Sequence, residues 1–205
     1  IGLTSALPVI TDVVTINGTT QPGFAGTPVV EINGTGAGSG ANGLRLVNHH
    51  GSTLRGLVVN RFSGSGIVLQ GGGSHTLQGN YIGGDATGTL ALANQGDGLR
   101  IEGGSVDNII GGVALGAGNV IAFNNGRGVV VSGTTTTSNT VRGNSIFSNG
   151  GLGIDLGQDG VSANDTGDAD NGPNNLQNYP VLASVQVLAS TISINGSLNS
   201  TPNST

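Results

Sequence analysis

Gly43-Leu44-Arg45-Leu46, Gly66-Ile67-Val68-Leu69, Gly98-Leu99-Arg100-Ile101, Gly128-Val129-Val130-Val131 and Gly153-Ile154-Asp155-Leu156 repeat one pattern, a glycine followed by apolar-X-apolar. The copies return every two to three dozen residues, the signature of an architecture whose units are too small to bury a face alone. A second pattern follows the first four copies. It reads Ser52-Thr53-Leu54-Arg55-Gly56-Leu57-Val58-Val59, then His75-Thr76-Leu77-Gln78-Gly79-Asn80-Tyr81-Ile82. Its later forms are Asn108-Ile109-Ile110-Gly111 with Gly118-Asn119-Val120-Ile121, and Asn139-Thr140-Val141-Arg142-Gly143-Asn144-Ser145-Ile146. Alternation over three to five residues reads as short half-buried strands, and the Gly, Asn and Ser between them read as corners. The unequal spacing has a plain cause in insertions at corners, Asp85 to Gln95 and Val113 to Ala117.

The pattern predicts an all-β chain, a right-handed single-stranded parallel β-helix (solenoid) with three short strands per coil and a short C-terminal β extension. Coils stacked at about 4.8 Å put like residues above like and build a continuous core. The expected inward columns are Leu44, Ile67, Leu99, Val129, Ile154 and Leu46, Leu69, Ile101, Val131, Leu156. Two more are Leu54, Leu77, Ile110, Val141 and Val59, Ile82, Ile121, Ile146. Asn80, Asn119 and Asn144 fall at one corner and are expected to bond as an amide ladder. The β-helix is assigned to residues 1–178: degenerate first coils over 1–42, regular coils over 43–157 and an acidic exit loop over 158–178. Residues 179–205 read as a β-strand extension. A β-sandwich of short strands is the alternative, but it gives no reason for one side chain to return at one corner.

Composition narrows the function. Gly accounts for 40 of the 205 residues, yet no Gly-X-Y period runs through the chain. Only 8% of residues are charged, against about 25% in an ordinary globular protein. All six basic residues are Arg, and the net charge is −5. A nucleic-acid partner needs a basic stripe, which this chain lacks. Aromatics at 3% provide no stacking platform for single strands. Cys and Met are absent, which removes the oxidisable side chains and suits an extracellular or cell-surface setting. No apolar run reaches the roughly 20 residues of a membrane span. The chain opens mid-strand at Ile1-Gly2-Leu3-Thr4 and reads as a mature or trimmed piece of something larger.

Parallel β-helices often carry polysaccharide lyases and hydrolases, so the outward positions are where acids and bases matter. The expected outward column is Glu31, Arg45, Val68, Arg100, Val130, Asp155. Paired carboxylates for glycoside hydrolysis sit about 5–9.5 Å apart, whereas Glu31 and Asp155 lie several coils apart. Glu31 under Arg45, and Arg100 beside Glu102, read as surface ion pairs worth about 0–1 kcal/mol. The nearest approach to a lyase arrangement is Arg100 with Asp97 and Glu102. His49-His50 sits in a corner, and His75 takes the corner position that Ser52, Asn108 and Asn139 hold elsewhere, which favours a hydrogen-bonding turn residue over a base. No Gly-X-Ser-X-Gly elbow follows a strand and opens a helix, and Gly71-Gly72-Gly73 is followed by neither Lys nor helix. No catalytic or organic-cofactor residues are assigned.

The dense polar stretch is Asp155-Leu156-Gly157-Gln158-Asp159-Gly160 continuing through Asn164-Asp165-Thr166-Gly167-Asp168-Ala169-Asp170-Asn171-Gly172-Pro173-Asn174. Like charges this close repel unless water or a cation separates them, and hard cations take carboxylate and carbonyl oxygens. Asp159, Asp165, Asp168 and Asp170 are therefore candidate ligands of a structural calcium ion, the alternative being a solvated acidic loop that caps the last coil. Asn-Gly-Thr/Ser sequons occur at Asn17, Asn33 and Asn195, with others at Asn164, Asn199 and Asn203. Asn-Gly is first a turn dipeptide.

Several stretches resemble large bacterial secreted and cell-surface right-handed parallel β-helix repeat proteins. They are Leu3-Thr4-Ser5-Ala6-Leu7-Pro8 with Val14-Thr15-Ile16-Asn17-Gly18-Thr19-Thr20-Gln21-Pro22-Gly23, Gly79-Asn80-Tyr81-Ile82-Gly83 with Asp85-Ala86-Thr87-Gly88-Thr89, and Gly116-Ala117-Gly118-Asn119-Val120-Ile121. The exit, Leu152-Gly153-Ile154-Asp155-Leu156-Gly157 through Pro173-Asn174-Asn175-Leu176-Gln177-Asn178-Tyr179-Pro180-Val181-Leu182, is similar too. The resemblance implies an exported multidomain protein, with Val185 to Leu198 as the first strands of an immunoglobulin-like module, and it carries no catalytic residues. The expected role is a non-catalytic extracellular structural or adhesion module. Its expected partners are copies of itself through the β-helix ends, another surface protein or a polysaccharide. A polysaccharide-active enzyme or carbohydrate-binding helix is the alternative. Without Lys, a Lys–Asn isopeptide crosslink is excluded.

Overall fold

A computed structural model describes residues 1–200. The sequon at Asn203 and the last residues of the 179–205 extension lie outside the described residues. Three parallel five-stranded sheets wrap one core, and a separate antiparallel hairpin follows. In the first coil Gly2 bridges to Asn33, Ile10 bridges to Leu46, and β1 (Thr15–Asn17) forms a short strand. The second coil holds β2 (Val30–Asn33), β3 (Leu44–Val47) and β4 (Thr53–Arg55). The third holds β5 (Leu57–Asn60), β6 (Ile67–Gln70) and β7 (Thr76–Gln78). Next come β8 (Tyr81–Ile82), β9 (Leu99–Glu102) and β10 (Ile109–Gly111), then β11 (Val120–Ala122), β12 (Val129–Val131) and β13 (Thr140–Arg142). The sixth coil has β14 (Ser145–Phe147) and β15 (Ile154–Leu156), and the hairpin is β16 (Val181–Leu188) with β17 (Thr191–Ser197).

Every inward column anticipated from spacing appears in register. Leu44, Ile67, Leu99, Val129 and Ile154 stand in line, as do Leu46, Leu69, Ile101, Val131 and Leu156. Leu54, Leu77, Ile110 and Val141 form the third column, and Val59, Ile82, Ile121 and Ile146 the fourth. The columns are buried in the middle coils and loosen towards the last: Val141, Ile146 and Leu156 are half-buried and Ile154 is 44% exposed. Both insertions lie between strands, 83–96 ahead of β9 and 112–119 ahead of β11, so neither interrupts a ladder.

Corners hold the coils together through side chains as well as backbone. The expected ladder is present: Asn80 Nδ2 donates to Asn119 Oδ1 at 3.0 Å, and Asn119 Nδ2 to Asn144 Oδ1 at 2.8 Å. A second amide ladder, unforeseen, joins Asn94, Asn124 and Asn149, with Nδ2-to-Oδ1 distances of 2.9 Å at each step. These residues stand four positions ahead of Gly98, Gly128 and Gly153, a regularity that the sequence displays. The chain reaches several corners in the left-handed region, as at Ser74, Asp107 and Ser138, each one residue before the corner side chains His75, Asn108 and Asn139. That conformation bends the backbone from one sheet to the next within one residue, and the following side chain supplies hydrogen bonds the bend leaves open.

One assignment is corrected. Glu31 does not stand under Arg45: β2 pairs with β5, which sets Glu31 opposite Val58, and its carboxylate meets Arg61 at 3.5 Å. The reason is the first coil. Residues 1–17 already supply a segment to each sheet, so β2 begins a second coil instead of preceding β3 in one column.

Candidate functional site

Three places gather polar or open surface: the outward face of the sheet containing β3, β6, β9, β12 and β15, the exit loop, and the last coil. On the outward face Arg45, Val68, Arg100, Val130 and Asp155 form the expected column. Its arginines are engaged. Arg100 meets Glu102 Oε2 at 2.8 Å and Asp97 Oδ2 at 3.3 Å, while Arg45 donates to Gln70 Oε1. Burial disfavours the Arg100 charge, but the hydrogen bonds and charges of Glu102 and Asp97 outweigh it and hold the guanidinium above its ordinary range. A group held charged in this way is a poor base.

Arg127, one coil above Arg100's partner Asp97, was not singled out by the sequence. Its Nε donates to the buried Asp155 carboxylate at 2.6 Å, and its NH1 lies 3.8 Å from Asp97. Asp97 in turn accepts the Arg127 backbone N–H at 2.9 Å. Asp155 also accepts the N–H groups of Gln158 at 3.1 Å and Gly160 at 3.4 Å, so this carboxylate shapes the start of the exit loop. Beside Asp97 a groove of about 380 Å³ runs from Arg45 past Val68 to Arg100.

The exit loop brings three of the four candidate metal ligands together. Asp165, Asp168 and Asp170 each place a carboxylate oxygen within 4.8 Å of the other two. Asp159 is not among them; it is exposed and folds back beside Gly157. The buried Asn178 pins the loop. Its N–H donates to Asp168 Oδ1 at 2.8 Å, its Nδ2 to the Asp165 carbonyl at 2.8 Å, and its Oδ1 accepts the Asp165 N–H at 3.0 Å. Asn164 and Tyr179 exchange two further bonds, of 2.8 and 2.9 Å. Asp165 is capped by the Ala169 N–H at 3.0 Å, and Ser200 Oγ donates to Asp168 Oδ2 at 2.7 Å. Asp170 Oδ1 is buried with no hydrogen-bond partner among the described residues. Oxygen-only donors at this spacing match the preference of hard divalent cations.

The sequons at Asn17 and Asn33 serve as turns. In each, Oδ1 accepts the N–H of the Thr two residues on at 3.0 Å and its hydroxyl at 2.7 Å.

At the last coil the core is only partly covered, by the exit segment, whose Asn174 N–H donates to the Thr136 carbonyl at 2.8 Å. A cavity of about 510 Å³ is lined by Val141, Leu152, Ile154, Leu156, Val161 and Tyr179, together with neighbouring polar residues. Beyond it the hairpin presents Val185 and Val187 opposite Ile194 and Ile192 on one face, all of them more than half exposed.

Fold and surface together define the class: a three-sheet parallel β-helix with amide-laddered corners, a neutralised outward face and an acidic exit loop. No protein-family model matches the chain, and neither the curated proteins nor the solved structures yield a significant match.

Proposed function

We propose that this chain is a non-catalytic structural or adhesion module of a secreted bacterial cell-surface protein, and that it associates end to end with copies of itself. The observation that carries this reading is the last coil. There, among the described residues, β13, β14 and β15 have strand neighbours on one side only, and the apolar cavity of about 510 Å³ lies between β13, β15 and the exit segment. At the opposite end β1 is likewise bonded on one side. Open edges of sheets pair readily, and head-to-tail contact between unlike ends propagates as a filament unless its rotation closes a ring. The alternative, a polysaccharide-active or polysaccharide-binding helix, has the Arg45–Arg100 groove as its place. The double pairing of Arg100 weighs against a base there, and the scarcity of aromatic residues weighs against sugar stacking.

Sedimentation of the purified chain at rising concentration tests the proposal. The wild type is expected to form oligomers that lengthen with concentration, whereas Ile154→Arg, which sets a charge at the open end, stays monomeric. A wild type that remains monomeric at every concentration sinks the end-to-end reading.

Calcium at Asp165, Asp168 and Asp170 fits the same role as a clamp on the exit of the solenoid. A cation binding only the folded loop adds about 2.7 kcal/mol at a hundredfold excess over its Kd. Melting in calcium against melting in chelator is therefore expected to rise by several degrees. In Asp170→Asn the calcium increment vanishes while folding in chelator persists. Equal melting of the wild type in both buffers removes calcium from the account.

A further inference from the structure

The corner ahead of β4, β7, β10 and β13 makes one repeated hydrogen bond per coil. The Ser52 N–H donates to His75 Nδ1 at 3.2 Å, the His75 N–H to Asn108 Oδ1 at 3.0 Å, and the Asn108 N–H to Asn139 Oδ1 at 3.3 Å. An amide oxygen accepts at any pH. An imidazole nitrogen accepts only while it carries no proton. Because Nδ1 is the acceptor, the ring hydrogen belongs on Nε2, and that atom is buried with no partner among the described residues. His75 is fully buried.

The groups around it give a positive charge nothing to pair with. From the preceding coil His49 packs edge-on with ring centroids 4.9 Å apart, its Nε2 bonded to Ser52 Oγ at 2.7 Å and its Nδ1 to the Val47 carbonyl at 3.2 Å. His50, on the same corner, opposes the charge electrostatically. From the following coil come the neutral Asn108 and Ser105, bonded to one another at 3.0 Å. Asp107, beside Asn108, makes no ion pair with His75 among the described residues. Burial first, then the charges of His49 and His50, lower the His75 pKa from 6.5 to about 4.

We propose that His49, Ser52 and His75 form an acid-sensitive latch between the second and third coils. A proton arriving from solvent on His75 Nδ1 takes the place of the Ser52 N–H, and two donors then face one another across the corner. The folded-state pKa lies below the open-state value, so the latch is fully closed above pH 6.5. It loosens as pH falls towards 4 and loosens no further below that. The same position holds Ser or Asn in the neighbouring coils, so only this junction responds.

Amide exchange in the full chain, corrected for intrinsic rates, tests this between pH 7 and pH 4. Protection at Ser52 is expected to fall about a hundredfold, while protection at Asn80, on the amide-ladder corner of the adjoining coil, holds. His75→Asn, which restores the acceptor used elsewhere, is expected to keep Ser52 protection constant across the range. Unchanged wild-type protection at Ser52 overturns the proposal, as does an equal loss at Asn80 or a His75→Asn profile like that of the wild type. If the variant does not fold, ring nitrogen shifts of the wild type at pH 7 decide. They must report the proton on Nε2, and a proton on Nδ1 overturns the latch.

Discussion

Asn119→Ala is expected to lower stability by about 3 kcal/mol or more, the cost of leaving several buried polar groups without partners. The Asn119 side chain touches three coils. Its Oδ1 accepts the Asn80 N–H at 2.9 Å and Asn80 Nδ2 at 3.0 Å, while its Nδ2 donates to the Leu77 carbonyl at 2.8 Å and to Asn144 Oδ1 at 2.8 Å. The residue is 1% exposed, so water cannot replace these bonds without opening the corner. Asn125→Ala makes the control. That side chain gives one exposed bond, to Gln95 Oε1 at 2.6 Å, and its loss is expected to change stability by no more than about 0.5 kcal/mol. Urea melts of the two variants check the claim, and equal midpoints would show that the ladder contributes little.

Phe62→Ala is the second large effect, expected at about 3–5 kcal/mol. Phe62 stands four residues ahead of Gly66, where Asn94, Asn124 and Asn149 stand ahead of their own glycines. It replaces the first rung of that ladder with a ring that is 0% exposed. Its backbone still joins the ladder, donating to Asn94 Oδ1 at 3.1 Å. Two glycines make room for the ring: a Cβ at Gly34 would come within 2.5 Å of it, and one at Gly43 within 3.1 Å. Truncation leaves a void that the rigid stack cannot close, because each coil is tied to the next by three sheets. Phe147→Ala, which removes a 41% exposed ring packed edge-on against Phe123, is expected to cost about 1 kcal/mol. A Phe62→Ala midpoint no lower than that of Phe147→Ala would mean the corner relaxes freely.

Both variants probe positions whose meaning depends on the coil above and the coil below. The four apolar columns were readable because a strand alternates with period two and a solenoid stacks each period on the last. Both rules act locally and then repeat. Asn80, Asn119 and Asn144 were readable for the same reason. The ladder of Asn94, Asn124 and Asn149 was equally regular, but its first rung is Phe62, which broke the chemical similarity that makes a repeat visible.

Charge pairing followed other rules. Arg100 with Glu102 was legible because two residues along one strand share a face. Arg127 with Asp155 and Asp97 was not, since those partners are about one coil away in sequence and meet only once the insertions have set where each coil closes. Glu31 fell into the wrong column on the same ground: nothing local says whether residues 1–17 complete a coil. Of the four acidic residues in the exit loop, composition could mark all of them as a group. Only the turn pinned by Asn178 draws Asp165, Asp168 and Asp170 together and leaves Asp159 outside.

The sequence by itself therefore determined the all-β solenoid, its inward columns and one of its ladders, because alternation and stacking propagate from neighbour to neighbour. The tertiary structure decided which charges meet, which carboxylates cluster, and that His75 must accept where its counterparts carry amides or a hydroxyl. Those outcomes depend on distances across coils, which are fixed only when every corner has closed.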